Sequence, residues 1–229
     1  MKILKTFGMV ALLVALVSIS SYAQKSEERN VDSFSEIKVS QAINCYLKEG
    51  TSEKVRVEVD GIDLDEVITE VSGDKLIIRL DKGNFRNIHV KVYVTFKKLE
   101  GISVSSAADV YSESIIKSDQ LDLSASSAGS MELEVDVNEM SVSASSAADL
   151  ELKGKSNSLK IGASSAAQVD AYDLAAKSVR ADASSGASVK TNALEEIRAD
   201  ASSGADIRYK GNPARSNTDS SSGGSVRKF

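Results

Sequence analysis

The chain has one cysteine, one proline, one histidine and no tryptophan in 229 residues. A single cysteine, Cys45, leaves no internal disulfide to form. It occupies an apolar position of the alternating run Ile43-Asn44-Cys45-Tyr46-Leu47, which predicts a buried, inert thiol. A single histidine rules out a metal site built on several His and Cys ligands. His89 is also the only base available to a Ser-His-acid triad, and it sits on the polar side of the strand-like stretch Ile88-His89-Val90-Lys91-Val92. Basic clusters are missing too. With a formal net charge of −5, the chain is a poor partner for nucleic acid, whose phosphates are bound chiefly by Lys and Arg. Beyond residue 19 no segment approaches the roughly 20 apolar residues of a membrane-spanning helix.

Phe7 to Ile19 is the one long apolar run. It follows Lys2 and Lys5 and precedes Ser21-Tyr22-Ala23, with small residues at the two places a signal peptidase reads. A positive start, a short apolar core and a small-x-small exit predict a signal peptide over residues 1–23, cleaved between Ala23 and Gln24. Losing Lys2 and Lys5 and no acid takes the formal charge from −5 to −7. Residues 24–33 read as a short linker, and residues 34–229 as one domain: an N-terminal β region (34–98) followed by repeats (99–229). The expected location is the periplasm, the outer-membrane surface or the extracellular space.

The repeat is a Ser-Ser-small-small-polar motif beginning at Ser105, Ser126, Ser145, Ser164, Ser184, Ser202 and Ser221. Aligned on the Ser-Ser pair, the copies form columns. Ile102, Leu123, Val142, Ile161, Ala181, Ala199 and Thr218 share one, and Val110, Met131, Leu150, Val169, Val189, Ile207 and Val226 another. The column beside the latter is polar: Tyr111, Glu132, Glu151, Asp170, Lys190, Arg208 and Arg227. Alternating apolar and polar columns are the period-2 mark of strands with one buried face. Dense Ser, Val and Asp disfavour helix. A repeat of this length with two strands per copy predicts an all-β fold, a parallel β-solenoid whose coils stack on one another. By parity, the second serine of each pair (Ser106, Ser127, Ser146, Ser165, Ser185, Ser203, Ser222) is expected to point inward as a stacked hydroxyl ladder. The Ala-to-Gly change at Gly186, Gly204 and Gly223 predicts positive φ at the corner. The polar last coil, Asn217 to Ser225, predicts a cap against end-to-end growth.

Residues 34–98 lack the Ser-Ser motif but alternate like strands between Gly50, Gly61, Gly73 and Gly83, with one short helical turn expected between Asp63 and Val71. This region is expected to start and cap the stack. Phe34-Ser35-Glu36-Ile37-Lys38-Val39-Ser40, Ile43-Asn44-Cys45-Tyr46-Leu47-Lys48-Glu49-Gly50, Val90-Lys91-Val92-Tyr93-Val94-Thr95, Leu99 and the Ser-Ser-Ala-Ala-Asp repeats together resemble the auto-transporter adhesin, head GIN domain family. The resemblance spans roughly residues 34–226. It implies a Bacteroidetes-type exported β-solenoid at the envelope or cell surface.

The functional expectation is an adhesin-like binding or structural protein of the cell envelope, not an enzyme, with no cofactor and no resident metal. An unknown envelope protein or glycan is the expected partner, and a monomer the expected state. Two other classes compete with it. A carbohydrate-processing β-helix would need paired acids on long loops, which the short coils do not provide. An accessory or sensor subunit of an envelope system is the other. Calcium is the one metal with any candidate ligands: Asp109, Asp149 and Asp206 share a column, but Ser130, Gln168 and Ser188 stand between them.

Overall fold

The computed structural model describes residues 25–83 and 85–229. The segment read as a signal peptide, with its Ala23–Gln24 junction, lies outside the described residues. Among the described residues, seventeen strands join in one hydrogen-bonded sheet that winds into a β-solenoid. The only helical turn among them is the 3-10 segment Leu64–Glu66, shorter than the Asp63-to-Val71 turn expected.

The repeat region comprises β8 (Gly101–Ser105), β9 (Asp109–Ser112), β10 (Ile116–Ala125), β11 (Ser130–Ala144), β12 (Asp149–Ala163), β13 (Gln168–Ala183), β14 (Ser188–Ala201), β15 (Asp206–Lys210), β16 (Arg215–Ser220) and β17 (Ser225–Lys228). Each pairs in parallel with the equivalent segment one coil away, as Ala125 does with Ala144 and Ala144 with Ala163. The long strands largely alternate buried with more exposed residues and carry two exposed residues in succession at Asn138-Glu139, Asn157-Ser158 and Leu194-Glu195. There the chain bends from one face to the next. The Ser-Ser motif forms the opposite, tighter corner.

The inward columns make one continuous core. Val110, Met131, Leu150, Val169, Val189 and Ile207 are all buried, and Val226 closes the column partly exposed. Each buried Leu, Ile or Val contributes about 1.5–3 kcal/mol. In the Ile102 column the change to Ala181 and Ala199, and finally to exposed Thr218, thins the core toward the C-terminus. Every residue of β16 is exposed, as a polar terminal coil should be.

The N-terminal strands are β1 (Lys25–Arg29), β2 (Glu36–Ser40), β3 (Asn44–Glu49), β4 (Lys54–Asp60), β5 (Val67–Ser72), β6 (Lys75–Leu80) and β7 (His89–Phe96). β2 and β3 form a coil that pairs with β8 and β9 on one side and with β6 and β7 on the other. The coil that comes first in the chain is therefore second in the stack. The chain leaves it, builds an outer coil, and returns past it through Lys97–Glu100, where Glu100 N–H donates to Ser35 C=O at 2.8 Å and Leu99 is fully buried. β4 lies antiparallel on β7, β5 on β6, and β1 on β4, closing the end that a bare coil would leave open. Lys25–Arg29, part of the expected linker, is thus a paired strand: Arg29 anchors it through hydrogen bonds to the carbonyls of Val67 and Leu64.

Candidate binding surface

The tight corner is built from backbone geometry. In every Ser-Ser copy the second serine has φ between 48° and 56°, and the next residue is also left-handed, from Ala107 at 57° to Gly223 at 77°. Two consecutive positive-φ residues make a primed β-turn. It is closed by a hydrogen bond from the fourth residue to the first serine's carbonyl, as from Ala148 to Ser145 at 3.2 Å. Adjacent turns are bonded in turn: Ala107 donates to Ser127 O at 3.1 Å, Ala128 to Ser146 O at 3.0 Å, and so on to Gly204 and Ser222 at 3.2 Å. This geometry overturns the expected internal serine ladder. Ser106, Ser127, Ser146, Ser165, Ser185, Ser203 and Ser222 are all exposed. Period-2 parity does not pass through a turn with two left-handed residues; the next inward position is the fourth residue, such as Ala148. The structure also reveals a corner of the same kind in the N-terminal region. Gln41 and Ala42 have φ of 67° and 53°, and Ala42 N–H donates to Ser106 O at 3.0 Å. Only the bare Ser40-Gln41-Ala42 echo of the motif could have signalled it.

On the strands that leave the corner, one outward column runs the length of the stack. Register places Tyr93, Tyr46, Tyr111, Glu132, Glu151, Asp170, Lys190, Arg208 and Arg227 side by side in that order. The tyrosines stack: Tyr46 to Tyr93 at 5.0 Å and 19°, Tyr46 to Tyr111 at 5.3 Å and 21°. Arg56 lies over the outer face of Tyr93, 4.0 Å from the ring centroid. Both faces of Tyr46 are covered by Tyr93 and Tyr111, and those of Tyr93 by Tyr46 and Arg56, so these two rings offer edges, not faces, to a ligand. Burial raises the Tyr111 phenol above its ordinary pKa, helped by Asp109, Tyr46 and Glu132. Beyond the tyrosines, Glu132 to Asp170 border an open groove of about 400 Å³ between Tyr111 and Lys190. Lys153 bridges Glu151 at 2.8 Å and Glu132 at 3.4 Å, and Lys190 pairs with Asp170 at 2.7 Å.

On the strands that enter the corner lies an open trough of about 470 Å³. Gly162, which has no side chain, forms one end of its floor, and Asp182, Asp200 and Asp219 stack along it on consecutive coils. Ser164, Ser184, Ser202 and Ser221 form its rim. Arg180 holds Asp182 at 3.0 Å and Arg198 holds Asp200 at 3.4 Å. The trough is thus lined by stacked carboxylates and hydroxyls, two of the carboxylates being paired with arginines beside it. The sequence signal for this row is three successive aspartates, Asp182, Asp200 and Asp219, each two residues before a Ser-Ser pair.

The sequence-derived candidates do not converge. Asp109, Asp149 and Asp206 share a column, with Ser130 between the first two and Gln168 and Ser188 between the last two. Burial raises the Asp109 carboxyl pKa. Burial would also raise that of Asp206, but Arg227 at 2.9 Å and Arg208 at 2.7 Å outweigh it and hold the carboxyl below the usual range. Among the described residues no three His, Cys, Asp or Glu side chains gather as a metal-binding group. His89 is exposed on β7, opposite Asp60 of β4. Cys45 is fully buried between Val92 and Val110, and desolvation raises its thiol pKa strongly. No helix among the described residues is long and apolar enough to cross a membrane.

Residues 33–213 match the family described as "Putative auto-transporter adhesin, head GIN domain". No curated protein matches the sequence. Solved structures share the fold. A "putative adhesin" from Bacteroides fragilis is 22% identical, with a TM-score of 0.82 over 91% of this chain and 98% of its own. A "putative lipid binding protein" from Parabacteroides distasonis is 18% identical, with a TM-score of 0.72 over 90% and 96%. A "putative adhesin" from Parabacteroides merdae is 17% identical, with a TM-score of 0.68 over 90% and 96%.

Proposed function

The chain belongs to the auto-transporter adhesin head GIN domain family, and from that premise we propose that it is an exported, non-catalytic, adhesin-like protein of the bacterial envelope that binds an extended glycan along the trough beside the tight corner. The observation that carries this reading is the consecutive stacking of Asp182, Asp200 and Asp219 beside a rim of corner serines. Neighbouring coils of a β-sheet lie about 4.8 Å apart. A polymer laid along the stack therefore meets the same donors and acceptors at each step. The scaffold suits binding: its corners are cross-bonded coil to coil, so the groups are held before the ligand arrives and little ordering entropy is lost on contact. Open troughs exclude little water, which favours recognition over chemistry that needs a sequestered site. The apolar N-terminal segment supports export, and the family supports an adhesin-like role.

The test is a glycan array probed with the chain beginning at Gln24, beside its Asp182→Ser/Asp200→Ser/Asp219→Ser variant, with an array of envelope proteins as the second arm. The reading expects glycan signals that the triple variant loses and no shortening of the bound glycans. Signals confined to proteins, or glycan signals unchanged in the variant, contradict it.

A further inference from the structure

We propose that the face leaving the tight corner is a self-complementary interface, through which two copies of this chain associate antiparallel and face to face. The proposal stands apart from the glycan reading, which uses the other side of the corner. Its basis is the order of charges in one register-defined column: Glu132, Glu151, Asp170, then Lys190, Arg208, Arg227. Three acids are followed by three bases on six consecutive coils, with the sign changing once, at the midpoint. All six are accessible, with side-chain exposures of 52, 54, 41, 40, 47 and 63% in that order.

Such a column matches its own reverse. A two-fold axis lying between the faces, across the column and between Asp170 and Lys190, sets Glu132 opposite Arg227 of the second copy, Glu151 opposite Arg208, and Asp170 opposite Lys190. A two-fold axis along the column would instead set each residue against itself, acid on acid and base on base. One orientation is therefore selected and the other opposed, as an isologous interface requires. A ligand of a single charge sign would meet only half of the column favourably.

The flanking columns temper the match. The same axis brings Asp149 near Asp206 and Lys153 near Lys210. Ion pairs within one copy, Asp206 with Arg208 and Arg227, Lys153 with Glu132 and Glu151, Lys190 with Asp170 and Lys210 with Asp173, screen like and opposite contacts alike, so both the repulsion and the attraction are reduced. Size limits the strength further. Six coils at about 4.8 Å spacing and strands of five or six residues at about 3.3 Å each span roughly 24 by 18 Å. Two such patches bury somewhat less than about 1,000 Å², the low end for a specific contact. The dimer is accordingly weak and salt-sensitive.

Sedimentation equilibrium of the chain from Gln24 tests this at about 0.01 M and about 1 M salt, where the Debye length is about 30 Å and about 3 Å. The parent should associate toward dimer at low salt and be monomeric at high salt. Glu132→Arg/Glu151→Arg and Arg208→Glu/Arg227→Glu should each stay monomeric in both. Mixed in equal amounts, the two variants should restore association at low salt, because each then presents what the other lacks. Glu132→Gln/Glu151→Gln, which weakens the match without adding repulsion, serves if a charge swap disturbs folding, and should lower the association constant at least several-fold. The proposal is overturned if the parent stays monomeric at low salt, if either charge-swapped variant self-associates as well as the parent, if their mixture stays monomeric while the parent dimerises, or if the Gln variant matches the parent.

Discussion

Tyr46 and Tyr111 belong to different parts of the chain, one in the N-terminal region and one in the first repeat, yet their rings stack at 5.3 Å. They meet because β3 and β9 are register partners, which requires the first coil of the chain to be second in the stack. Tyr46 stacks on Tyr93 as well. Removing Tyr46 thus breaks two ring contacts and removing Tyr111 breaks one, each worth about 0.5–1.5 kcal/mol beyond buried area. Tyr46→Ser should lower stability in denaturant titration by about 1 kcal/mol more than Tyr111→Ser. Equal losses would contradict the ordered stack of three.

Inward and outward positions can be told apart with one introduced residue. Val169 is buried, while Gln168 beside it is exposed. Val169→Asp places an unpaired carboxylate in the core and should cost several kcal/mol. Gln168→Asp should stay within about 0.5 kcal/mol of the parent. Thermal unfolding of both variants gives the comparison.

Much of this was legible. The repeats give the coil, and the columns of Val110 to Ile207 and Ile102 to Ala199 are the columns of the core. Three things were not. The outward turn of Ser106 and its equivalents depends on φ values that period-2 reasoning assumes away. The permuted stacking of β2 and β3 is a matter of which strands pair at long range, and nothing local in residues 34–98 specifies it. The faces themselves were half read: the Tyr111-to-Arg227 column was visible, but its extension to Tyr46 and Tyr93 needed the permuted order.

Two glycines with positive φ separate steric from conformational cost. A Cβ on Gly186 meets nothing within 4 Å, and other coils carry Ala at the same corner position. Gly186→Ala should cost only the left-handed penalty, about 1–2 kcal/mol. A Cβ on Gly154 would lie 2.0 Å from Val135 O, on the neighbouring coil. Gly154→Ala must push coils apart and should cost clearly more, by at least about 2 kcal/mol. Similar melting points for the two would refute the close approach of backbone at Gly154.

Asp206 and Asp109 should respond to pH with opposite sign. The Asp206 carboxyl lies below its ordinary value in the folded chain, so its contribution is complete above the unfolded value, about 3.9, and is lost as pH falls through the folded one. Asp206→Asn should therefore lower the melting point at pH 7 and have little effect once both states are protonated. The Asp109 carboxyl lies above its ordinary value through burial, so its ionisation disfavours folding and its protonation restores stability as pH falls. Asp109→Asn should be neutral or stabilising at pH 7. Parallel pH profiles for the two variants would contradict these assignments.

On the proposed function, the trough of stacked Asp182, Asp200 and Asp219 holds the chain to the envelope without altering it. Co-sedimentation of the chain from Gln24 with isolated Gram-negative envelope fractions tests it most directly, run beside the Asp182→Ser/Asp200→Ser/Asp219→Ser variant and followed by analysis of the envelope glycans for cleavage. The parent should pellet with the envelope, most of the variant should stay in the supernatant, and the glycans should keep their length. Equal pelleting of parent and variant, no pelleting of either, or shortened glycans would contradict it.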